Sequence, residues 1–98
     1  MPVALTDITR ASVLTAIHEY DALGQEAFLE KYGFSVARIY RLSHGGRWYD
    51  SKAIVGVAHG YATGTFWTGR DFSGGVRTVV RTLSDLGFVV DSEQVGDR

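Results

Sequence analysis

The sequence contains no cysteine. That excludes disulfides, zinc–cysteine sites and a cysteine nucleophile from this segment. No apolar run approaches the roughly 18 residues of a membrane span. The start lacks the basic-then-apolar pattern of a secretion signal. A cytoplasmic location with no membrane partner is therefore expected. Catalytic signatures are also missing. His18, His44 and His59 are too scattered for a metal pattern. There is no Ser-His-Asp order, no HExxH and no P-loop, and "GTFWTG" is not a phosphate loop. His59, near the end of an apolar helix, reads as structural. No catalytic residue, metal or cofactor is expected, and the segment reads as a non-enzyme.

What is present is enough for one small domain. The chain has 98 residues, of which 45% are hydrophobic and 12% aromatic. That composition excludes a disordered chain. A domain of this size buries only about two-thirds of its unfolded surface, so its core is modest.

Net charge is −1, but its distribution is uneven. Residues 31–81 hold eight cations against two carboxylates, a net +6. The remainder holds two cations against nine carboxylates, a net −7. The basic segment also carries nine of the twelve aromatic residues. Arginine interleaved with aromatics is the composition of a nucleic-acid face. A solvated mixed-charge surface gives the same composition if acidic and basic segments interleave on folding.

Local signals divide the chain. Thr9 can cap a helix from Arg10 to Leu23, with Val13, Leu14 and Ile17 buried and Tyr20 on the flank. Gly24 ends it. A second helix, Gln25 to Tyr32, buries Phe28 and Leu29 and stops at Gly33. Both helices expose mainly acidic faces. "RIYRLSHGGRWYD" reads as a hairpin, with strands from Arg38 to Leu42 and Arg47 to Tyr49 around "HGG". Asp50 or Ser51 can cap a third helix. There Ile54, Val57, Ala58 and Tyr61 form an apolar stripe, and Lys52 is expected at the exposed start. "TGTFWTGRDF" is a loop. Ser73 can cap a fourth helix with Val76, Val79, Val80, Leu83 and Leu86 on its buried side and Gly87 as its C-cap. "FVV" is a short strand. Residues 92–98 form a polar tail or the start of a linker, leaving a domain core at about 6–91. The fold expected is α+β: two N-terminal helices, a β-hairpin, two further helices and a short C-terminal strand. A winged-helix-like arrangement would fit that order.

Two helix starts break a local rule. A helix N-terminus carries about half a positive charge and disfavours cations. Yet Lys52 follows "DS" and Arg77 follows "SGG" in a first turn. Arg77 and Arg81, at i and i+4, form a like-charge pair that costs a few tenths of a kcal/mol. An external anion would offset both. A phosphate could take the backbone N–H groups opened by Ser73, Gly74 and Gly75. Against that, glycines also permit tight packing, and Asp85 lies one turn beyond Arg81. Arg41, His44 and Arg47 at the hairpin tip could follow a nucleic-acid backbone, or form an ordinary solvated turn. Trp48 and Trp67 could stack on a base, but partial core is the plainer assignment for each.

"YGF…RIYRLSHGGRWYDSKAIVGVAHGYATG" followed by "FSGGVRTVVRTLSDLGFVV" resembles the N-terminal head domain of ScoMcrA-like, McrA-type HNH restriction endonucleases. The resemblance covers residues 6–91. It implies modification-dependent (type IV) enzymes in which the head is joined to modified-DNA readers and a C-terminal HNH nuclease. The nuclease chemistry would then lie outside these residues. The resulting expectation is a non-catalytic DNA-binding module. Its contacts would be Arg38, Arg41, His44, Arg47, Lys52, Trp67, Ser73, Gly74, Gly75, Arg77 and Arg81. Its partners would be DNA, modified or plain, and neighbouring domains of the parent enzyme. The rival is a protein-interaction or dimerisation scaffold that orients those domains.

Overall fold

The computed structural model describes residues 8–34, 40–67 and 76–92. Helix α1 spans Arg10–Leu23 and opens with a reciprocal cap. The Thr9 hydroxyl accepts from the Ser12 N–H at 3.1 Å, and the Thr9 N–H donates to the Ser12 hydroxyl at 3.0 Å. Two of the first turn's unsatisfied donors are thereby paired. Gly24 separates α1 from α2, Gln25–Tyr32, which ends at Gly33. Tyr20 is buried on α1 and not merely flanking, while Leu14 is half-buried.

The hairpin follows. Strand β1, Tyr40–His44, pairs with β2, Arg47–Asp50. The sequence places His44 in the turn, but it pairs with Arg47 and belongs to the strand. The turn is only Gly45 and Gly46, with φ of 61° and 81°. A tight two-residue hairpin turn needs positive φ at both positions, which glycine adopts without strain.

Helix α3, Ser51–Thr63, begins directly at the end of β2. It is buried on every side from Ala53 to Gly60, as expected for a helix apolar around its whole circumference. It packs against α1, α2 and α4 and touches the sheet. Ile54, Val57 and Ala58 are core as expected, but Tyr61 is not. It is 44% exposed, because the helix leaves the core after Gly60.

Helix α4, Val76–Asp85, buries Val79 and Leu83, with Val80 and Leu86 half-buried. The side chain of Val76 lies outside the described residues. The helix is closed by two bonds, Phe88 N–H to the Leu83 carbonyl at 2.9 Å and Gly87 N–H to the Ser84 carbonyl at 3.0 Å. That pair is a Schellman closure with Gly87 at the left-handed position. It aims Phe88 into the core and leads into β3, Val89–Ser92. Strand β3 pairs antiparallel with β1, giving the sheet order β2-β1-β3. The result is the α+β layout expected, with four helices and one three-stranded antiparallel sheet. No helix among the described residues is long and apolar enough to cross a membrane.

Candidate nucleic-acid interface

The glycine-rich end of α3 has a packing role. A Cβ on Gly56 would sit 2.6 Å from the Phe34 ring and 2.6 Å from the Trp67 carbonyl. A Cβ on Gly60 would sit 2.0 Å from the Phe66 ring. The two glycines lie one turn apart, so the segment after α3 folds back along a bare strip of the helix. Trp67 N–H donates to the Gly56 carbonyl at 3.2 Å. The Trp67 ring stacks on His59 at 4.4 Å, half-buried against the core. His59 is fully buried. Its Nδ1 lies 2.7 Å from the Thr65 carbonyl, which can only accept, so Nδ1 carries the proton. Nε2 is buried with no hydrogen-bond partner.

The start of α3 holds an internal anion. Asp50, the N-cap residue, is 2% exposed. Its carboxylate does not cap the helix backbone. It accepts from the Tyr20 hydroxyl at 2.6 Å and from Gln25 Nε2 at 3.1 Å. Burial, together with the hydrogen bond to this carboxylate, pushes the Tyr20 hydroxyl's pKa far above that of free tyrosine. A negative charge beside a helix N-terminus is favourable. The position where the sequence suggests an external anion is thus occupied in part by the protein's own carboxylate. Lys52, two residues on, is half-buried and not fully exposed as expected.

The hairpin cations do not converge. Alternation along β1 and β2 sends Arg41 and Ser43 to one face, and Leu42 and His44 to the other. Leu42 and Tyr49 point into the helices, so Arg41 lies on the other face, where its cross-strand neighbours in the register are the buried Asp50 on β2 and Asp91 on β3. Arg47 shares the helix-side face with Tyr49, and both reach Asp21 on α1. Arg47 Nη1 lies 3.2 Å from Asp21 Oδ1, and the Tyr49 hydroxyl donates to the same oxygen at 2.8 Å. His44 is half-buried, edge-on to Phe88 at 5.5 Å. The tip is therefore split between two faces.

Other charged groups are tied to the protein as well. Glu19 on α1 accepts from Lys31 Nζ at 2.6 Å, from the Tyr32 hydroxyl at 2.8 Å and from the Tyr61 hydroxyl at 2.6 Å. Burial opposes its charge, but these donors outweigh burial and hold its carboxyl below the ordinary pKa. Arg10 Nη1 donates to the Leu86 carbonyl at 2.8 Å while its guanidinium lies 4.5 Å from the Phe88 ring centre. Arg81 is exposed on α4, one turn before the exposed Asp85. Arg77 also lies on α4, but its side chain is outside the described residues, as are Arg38, Ser73, Gly74 and Gly75 altogether.

One surface feature escapes the sequence reading. Trp48 is 51% exposed and is not core. Ser43 pairs with Trp48 on one side and with Val89 on the other. Directly opposed residues of antiparallel strands share a face. Trp48, Ser43 and Val89 therefore form one row across the open face, with Val89 58% exposed. Period-two alternation in "RWYD" contains the signal, once Tyr49 is known to be the inward residue.

Comparison with known proteins agrees with the pattern of residues. Among curated proteins no relative matches the chain. Of solved structures, the Type IV phosphorothioation-dependent restriction endonuclease ScoMcrA is similar, at 40% identity and a TM-score of 0.66. The match covers 88% of this chain and 13% of that one, so the chain spans a small part of the relative's length. Residues 6–92 match the ScoMcrA-like N-terminal head domain, and the chain belongs to that family.

Proposed function

We propose that the chain is a non-catalytic DNA-binding module, the head of a modification-dependent restriction endonuclease. The observation that carries this reading is its 40% identity, over 88% of its length, to one part of such an enzyme. The concentration of cations in residues 31–81 supports it, although two of them, Lys31 and Arg47, are paired with Glu19 and Asp21. Arg81 and Arg77 on α4, with Lys52 at the start of α3 and Arg41 on β1, would meet phosphates. Arg38 and the Ser73–Gly75 turn would add to them. His44 and Trp67 play supporting parts at most, since each is packed against the protein, and Arg47, though exposed, is paired with Asp21.

The scaffold reading has one observation in its favour. Arg10, Lys31 and Arg47 are engaged within the domain. A module that orients neighbouring domains needs no free cations.

A titration of the 98-residue chain against plain and phosphorothioated duplexes, at two salt concentrations, separates the readings. Neutralising about four phosphates gives a log–log salt slope near −3.6 and a Kd of about 10⁻⁴ to 10⁻⁶ M. Arg81→Ala should weaken all duplexes alike and reduce the slope by about one. No binding at about 50 mM salt, where screening is weak, would leave the scaffold reading.

A further inference from the structure

We draw no further inference here: the strongest candidate, the buried and unpartnered Nε2 of His59 on α3 behind the Trp67 ring, is joined by no metal-binding group of His, Asp or Glu among the described residues, and nothing in the structure shows what that nitrogen would bind.

Discussion

The Tyr20 hydroxyl donates to the Asp50 carboxylate at 2.6 Å, in a site where both side chains are buried. The bond joins the last third of α1 to the junction of β2 and α3. It fixes the angle at which the hairpin leaves the helices. Tyr20→Phe keeps the ring packing against Phe28 and Tyr49 but leaves a buried carboxylate with one fewer donor. The expected loss is about 1–3 kcal/mol. In a double-mutant cycle with Asp50→Asn the two losses should not add. Urea unfolding of the four proteins measures this, and simple additivity would show that the bond carries no coupling.

The bare strip on α3 predicts a reversal of ordinary helix propensity. Alanine normally stabilises a helix interior relative to glycine by about 1 kcal/mol. At Gly56 and Gly60 it should instead destabilise, by about 1–3 kcal/mol, through overpacking. Gly56→Ala should be the worse of the two. Its Cβ meets the Trp67 backbone, which cannot swing aside, whereas at Gly60 the obstacle is the partly exposed Phe66 ring. Thermal melts of the two variants decide it, and a rise in Tm for either would remove the close-approach explanation.

Acid should weaken the domain through Glu19. Its folded pKa is depressed, so its contribution is full above the unfolded value of 4.5 and is lost as pH falls through the folded value. Stability of the parent should therefore drop below about pH 4.5. In Glu19→Gln this part of the pH dependence should flatten. Chemical denaturation at several acidic pH values provides the comparison. Parallel curves for the two proteins would show that the Lys31–Tyr32–Tyr61 cluster contributes nothing through ionisation.

Alkali acts through the tyrosines. Burial, and then the hydrogen bond to Asp21 and its negative charge, push the Tyr49 hydroxyl up to about 12. Tyr61 is raised further, chiefly by its hydrogen bond to Glu19. A raised folded pKa means stability that is full below about pH 10 and lost as pH rises through about 12. Absorbance near 295 nm should show Tyr20, Tyr49 and Tyr61 still protonated in the native protein at about pH 10.5, while the urea-unfolded chain titrates near 10. Ionisation of most of the five tyrosines at that pH would contradict the hydroxyl–carboxylate bonds.

Much of this fold is written in short-range chemistry. Thr9, Gly24 and Gly33 bound the first two helices because capping and chain reversal depend on a few neighbouring residues. Gly87 marks the end of α4 for the same reason. Tyr61 was not legible. Its spacing places it on the apolar stripe, but the stripe matters little on a helix buried all round, and only tertiary packing shows that the core stops at Gly60. The glycines of "VGVAHGYATG" are visible in the sequence, but the Phe34 and Phe66 rings and the Trp67 carbonyl that need them are not. The candidate cations divide similarly. Alternation alone separates Arg41 from Arg47 once the inward residue is known. The pairing of Arg47 with Asp21 depends on how α1 lies against the hairpin, which no local signal encodes.

The strand order β2-β1-β3 sets two unequal halves of the sheet in time as well as in space. Strands β1 and β2 meet across two glycines, so their pairing closes a very short loop. Strand β3 reaches the other side of β1 only after α3 and α4 have been laid down between them. Long-range closure of that kind is slow to form and, with one edge exposed, early to open. The C-terminal strand is therefore expected to act as a latch. Its amides, and the β1 groups facing it, should exchange with deuterium before those of the hairpin do. Equal protection on both sides of β1 would show that the sheet opens as one unit. Whatever follows β3 in a longer chain would pull directly on this latch, so tension from a neighbouring domain would reach the open face of the sheet before it disturbed the helices.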